Sequence, residues 1–157
     1  MATIRWTLQD CVVLGHPHAP ALGGRLEVIV VHTSILPTLQ ALKTAATLAK
    51  GLSARIRLLV PQVVPYALPL DCPPVPSSFT ERRFRTIAEE VGVETSVEII
   101  YCRDLASTLG ALLRPHSLVV LGSHRPRAWR LPWRGGERVL ARRLRGLGHQ
   151  VVLAESL

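Results

Sequence analysis

From Glu27 onward, short apolar runs rich in β-branched residues alternate with stretches whose apolar positions recur at helical spacing. The run from Glu27 to Val31 suits a strand buried on both faces. After His32, Thr33 and Ser34, the residues Ile35, Leu39, Leu42, Ala46 and Ala49 mark one face of a helix. Thr33 or Ser34 can cap that helix, Pro37 fits its first turn, and Gly51 suits its end. Arg55 to Val60 predicts a second strand. It leads into an extended loop, because six prolines fall between Pro61 and Pro76. Ser77 or Ser78 can cap a helix running from about Phe79 to Val91, which Gly92 ends. Val93 to Tyr101 predicts a third strand, with Val97, Ile99 and Tyr101 on one face.

Asp104 caps the next helix, whose buried stripe is Leu105, Leu109 and Leu112 or Leu113. Pro115 closes it. Leu118 to Leu121 is a fourth strand, followed at once by Gly122, Ser123 and His124. Residues 125–134 form a loop of Arg, Pro and Trp. Gly135 and Gly136 begin a last helix with Leu140 and Leu144 inward, and Gln150 to Ala154 is a fifth strand. Such alternation demands a mostly parallel sheet covered by helices, joined by right-handed crossovers. Before it, Ile4, Trp6 and Leu8 alternate with polar residues, and Cys11 to Leu14 is apolar. Residues 1–25 therefore read as an N-terminal arm or extra strand, and residues 26–157 as one α/β domain.

A chain of 157 residues fits a single core. Aromatics are only 4%, so that core is built from Val, Leu, Ile and Ala. No apolar run is long enough to span a membrane, and the first residues lack a signal-peptide pattern, which points to a cytoplasmic protein. Cys11, Cys72 and Cys102 are odd in number and widely spaced, the pattern of reduced thiols rather than of a disulfide framework or a zinc site. Net charge is +8, and 17 of the 19 basic residues are Arg. Guanidinium forks match phosphate oxygens, but drift toward Arg codons produces the same bias.

These elements carry a resemblance. Val28 to Val31, Val63-Val64-Pro65, Arg103-Asp104 and Leu118 to Ser123 resemble strings of the universal stress protein family, over residues 26–156. The resemblance implies a three-layer α/β/α architecture: an open, twisted, parallel five-stranded sheet of order 3-2-1-4-5, within the adenine nucleotide α-hydrolase-like group. It also implies homodimers through the last strand. In many members it implies ATP or another adenine nucleotide held by Gly-x2-Gly-x9-Gly-Ser/Thr after strand four. Here Gly122 and Gly135 match the first and third glycines. Arg125 stands at the second, and Gly136 replaces the hydroxyl residue. His32 stands where the family usually has an acid. By this resemblance Pro61 and Val63 flank the base, and Gly122, Ser123, Gly135 and Gly136 hold phosphates.

The residues themselves leave alternatives open. Free N–H groups at a helix start favour an anion, which Arg125, Arg127, Arg130 and Arg134 can reach. Equally, Gly122 can simply turn the chain while Gly135 and Gly136 start a helix. His32, Thr33 and Ser34 stand at the carboxyl end of a parallel strand, where open α/β sheets bind ligands, or they are a turn residue and helix caps. Residues 125–145 hold eight Arg and one acid, with Trp129 and Trp133 interleaved. That segment suits a protein partner or a solvated face, and nucleic acid ranks last. The acidic residues read as solvated, and no nucleophile–base arrangement is visible, so at most slow, incidental ATP hydrolysis is expected. The expected function is a small binding or regulatory module. It either takes an adenine nucleotide or, having lost it, acts as a dimeric interaction module through the 125–134 loop and the last strand.

Overall fold

The computed structural model describes residues 4–8, 11–15, 26–70, 72, 75–124 and 136–156. Along the chain these form β1 (Ile4–Leu8), β2 (Cys11–Gly15), β3 (Glu27–Val31), α1 (Ile35–Leu52), β4 (Arg55–Val63), α2 (Ser77–Glu89), β5 (Thr95–Cys102), α3 (Leu105–Leu112), β6 (Leu118–His124), α4 (Gly136–Gly146) and β7 (Gln150–Ser156). The strands make one sheet of order β1-β2-β5-β4-β3-β6-β7. β5, β4, β3, β6 and β7 are parallel and stand in the expected order. The sheet holds seven strands rather than five, because β1 and β2 form an antiparallel hairpin docked along β5. Alternation in β2 explains the docking: Cys11 and Val13 are buried on one face of the sheet and Val12 on the other.

Two cores result, one on each face. Ala41, Leu42, Ala45 and Ala49 of α1 and Phe84 of α2 pack on Val28, Val30, Ile56, Leu58, Ile99 and Tyr101. Leu109 of α3 and Leu140, Ala141 and Leu144 of α4 pack on Ile29, Val31, Leu59, Ile100, Val119 and Leu121. Strands buried on both faces are apolar along most of their length, which is why β3 and the start of β6 appear as continuous runs.

Several boundaries differ from expectation. α1 continues through Gly51 to Leu52, and Ser53 takes the left-handed turn at φ 50°, with its N–H directed to the Ala49 and Lys50 carbonyls. α2 begins at Ser77, with Pro76 in the cap position and no side-chain cap. Asp104 does cap α3, accepting from the Ser107 N–H at 2.7 Å. β4 continues through Pro61 to Val63, where Pro61 pairs with Ile100 of β5. A proline survives there because its nitrogen faces the β3 side. The backbone of β3 has already ended, its last link being His32 N–H to the Leu59 carbonyl at 2.8 Å. β6 likewise extends past Leu121, so Gly122 and Ser123 lie within the strand, opposite Ala154 and Glu155 of β7.

Candidate functional site at the carboxyl edge

Strand order reverses between β3 and β6, and α1 opens directly from the end of β3. This is the crevice where open α/β sheets take ligands. His32, Thr33 and Ser34 link the end of β3 to α1 there. The Thr33 hydroxyl donates to the Gly122 carbonyl at 3.4 Å, tying the loop after β3 to β6. Ser34 occupies the cap position of α1, and its side chain makes no capping hydrogen bond. The Ser34 carbonyl accepts from the Thr38 N–H at 3.0 Å.

His32 turns away from the crevice. Its Nδ1 lies 2.8 Å from Thr38 Oγ1, and its ring meets Phe84 edge-on with centroids 4.6 Å apart. Burial, reinforced by the Arg83 charge, lowers its pKa to about 4. The imidazole is therefore neutral near neutral pH and does not replace a carboxylate. A stability consequence follows from the sign of this shift. Between pH 6.5 and about 4 the unfolded chain takes up a proton at His32 that the folded chain refuses. His32 thus contributes stability above pH 6.5 that is lost as pH falls toward 4, by about 2 kcal/mol once its partial exposure is allowed for. Denaturant titrations across this window should show His32→Gln losing less stability than the parent. Parallel pH profiles for the two proteins would contradict the assignment.

Gly122 has a packing reason to be glycine. A Cβ there would lie 2.0 Å from the Pro37 carbonyl oxygen and 2.2 Å from its carbon. The first turn of α1 thus rests directly on the β6 backbone. Ser123 is buried beside it, at 2% exposure. Of the other expected site residues, Pro61 and Val63 end β4, and Val63 is exposed. Gly136 begins α4 with open space around the position of a Cβ. Arg125, Gly135 and the 125–134 loop lie outside the described residues.

Other residues shape this edge without having been singled out. Arg103 donates from Nη1 to the Val64 carbonyl at 2.8 Å and to the Pro65 carbonyl, and from Nη2 to the Leu68 carbonyl at 2.7 Å. Its guanidinium sits 5.0 Å from the centre of the Tyr66 ring. One side chain therefore shapes the whole turn after β4. Gln62 Nε2 donates to Thr80 Oγ1 at 3.1 Å, joining the end of β4 to α2. The buried Tyr101 hydroxyl approaches Ser77 without hydrogen-bond geometry, and burial raises its pKa. At the opposite end of the sheet, a cleft of about 490 Å³ opens between α2 and the start of β5, against Glu81, Arg85, Glu89 and Glu94.

No protein-family model and no curated protein matches the sequence. Solved structures do. A universal stress protein in complex with cAMP superposes with a TM-score of 0.56 at 13% identity, covering 86% of this chain and all of that one. A universal stress protein from Archaeoglobus fulgidus superposes with a TM-score of 0.51 at 11% identity, covering 82% of this chain and 92% of that one. The fold is that of the universal stress proteins. Within this universal stress protein fold, the β1–β2 hairpin stands outside the parallel five-strand order and closes the β5 edge. Among the described residues, no group of three or more His, Cys, Asp or Glu is placed to hold a metal. No helix there is long and apolar enough to cross a membrane.

Proposed function

We propose that this chain is a small universal stress protein-like regulatory module that binds an adenine nucleotide at the carboxyl edge of its sheet, acting by binding rather than by catalysis. The observation that carries the reading is the switch point between β3 and β6, where Thr33, Gly122 and the start of α1 converge. The cAMP bound by a protein of the same fold supports an adenine nucleotide as the ligand class. In this reading Pro61 and Val63 flank the base, and Thr33 and Ser34 face the sugar. Gly122, Ser123, Gly135 and Gly136 hold phosphates, with Arg125 nearby. His32 is engaged with Thr38 and Phe84 instead of the ribose, so affinity rests on the phosphates and the base.

Thermal denaturation with ATP, AMP or cAMP tests this. A nucleotide at a hundredfold excess over its Kd stabilises the folded state by about 2.7 kcal/mol, a rise of several degrees in Tm. Gly136→Asp introduces a negative charge at the start of α4 without steric conflict. It is expected to abolish the rise while leaving the Tm of the unliganded protein nearly unchanged. No shift with any of the three nucleotides overturns the proposal.

A second reading, a dimeric interaction module, draws on two observations. Val63, Tyr66 and Phe79 are 60%, 86% and 58% exposed around the end of β4. β7 is the outer strand of the sheet and is available for pairing with a second copy. Light scattering coupled to size exclusion decides the homodimer: a monomer at every concentration removes it.

A further inference from the structure

The hairpin register brings Cys11 directly opposite Cys102. The Cys102 carbonyl accepts from the Val64 N–H at 2.9 Å, on the β4 side of β5. The N–H and C=O of one strand residue point to the same side, so the Cys102 backbone faces away from β2. Cys11 and Cys102 therefore form a non-hydrogen-bonded antiparallel pair, the kind with Cα atoms about 4.5 Å apart and side chains drawn together. That separation lies inside the range a disulfide spans. Both side chains are on the α3–α4 face, packed with Val13, Ile100 and Leu109, at 3% and 0% exposure.

We propose that Cys11 and Cys102 are a cross-strand redox pair, which a small disulfide such as glutathione disulfide converts into an intramolecular bridge fastening the β1–β2 hairpin to the sheet. The thiolate of one cysteine attacks a sulfur of glutathione disulfide, forming a mixed disulfide and releasing one glutathione thiolate. The thiolate of the other cysteine then attacks the protein-bound sulfur and releases the second glutathione. Two protein thiols are oxidised, one glutathione disulfide is reduced to two glutathiones, and the two thiol protons pass to the departing thiolates.

Packing sets the rate. Burial pushes the Cys102 thiol up to about 11, so Cys102 holds little thiolate while the hairpin is docked. The hairpin is the outermost part of the sheet and docks along β5 alone among the described strands. Its opening exposes both sulfurs, and oxidation follows that local opening rather than global unfolding. Cys72 is exposed and is the thiol that a small disulfide meets first.

The test uses the full chain carrying Cys72→Ser, incubated under native conditions with glutathione disulfide. Readouts are thiol alkylation, peptide mass mapping and amide hydrogen exchange. The expected result is a single intramolecular bridge joining the Cys11 and Cys102 peptides, with loss of both alkylatable thiols. Exchange slows across residues 4–8 and 11–15, Tm rises on the order of 10 °C, and dithiothreitol reverses every change. If Cys72→Ser fails to fold, peptide mapping of the parent chain identifies the bridge directly. Cys11 and Cys102 remaining alkylatable after prolonged exposure would overturn the proposal. So would glutathione adducts on either residue that never resolve into the bridge.

Discussion

Gly122→Ala is expected to destabilise the protein by about 3 kcal/mol or more, lowering Tm by roughly 10 °C. The added methyl would meet the Pro37 carbonyl oxygen at 2.0 Å and the Pro37 carbon at 2.2 Å. Both are backbone atoms of a fixed ring residue, so no side-chain rotation relieves the contact. The first turn of α1 would have to lift from β6, pulling Ala41, Leu42 and Ala45 out of register with the core. Gly51→Ala provides the control. A Cβ there meets nothing within 4 Å, and the residue lies inside α1, so alanine should stabilise by about 0.5–1 kcal/mol. Urea denaturation of the two variants should give changes of opposite sign. A Gly122→Ala protein as stable as the parent would mean that α1 does not rest on β6.

Arg57→Ala should cost about 3 kcal/mol. Glu98 is 1% exposed and receives both Arg57 Nε and Nη2 at 2.7 Å. Burial opposes the Arg57 charge, but the hydrogen bonds and charge of Glu98, with Glu27 beyond, outweigh it and raise the Arg57 pKa. Gly15 makes the room: a Cβ there would lie 2.8 Å from Glu98 Cγ. Removing the guanidinium alone leaves a carboxylate buried without its counter-charge, which is the expensive outcome. Replacing both partners, as Arg57→Met with Glu98→Leu, removes the desolvation penalty together with the attraction. That double variant should recover most of the lost stability. A double-mutant cycle with no coupling between the two positions would show that the pair contributes nothing.

How far these features could be read in advance depends on their range along the chain. Asp104 as a cap, Leu140 and Leu144 as an inward stripe, and Val97, Ile99 and Tyr101 on one face were all legible, because each depends on neighbours within one or two turns. Pro61 misled, since six prolines in one stretch argue for a loop. Only the early end of β3 shows why a proline can sit inside β4. Glu98 misled as well. On a strand an isolated acid reads as solvated, and the burial of this one depends on Arg57 across the sheet.

At the candidate site, Gly122 was legible as a special residue but not for its full reason. A lone glycine after a strand has the same appearance whether it admits a phosphate or a helix. His32 was visible as a departure from an acid, yet its neutrality comes from burial and the Arg83 charge, which local spacing does not encode.

By itself, the order of apolar runs and helical stripes determined the alternation of strands and helices, and hence a mostly parallel sheet with covered faces. Those patterns are local, and backbone geometry converts them directly into buried faces. Tertiary structure alone decided which distant residues meet: Gly122 under Pro37, Arg57 against Glu98, Cys11 opposite Cys102. Such contacts arise from strand order, register and close packing, where a shift of one residue moves every side chain to the other face of the sheet.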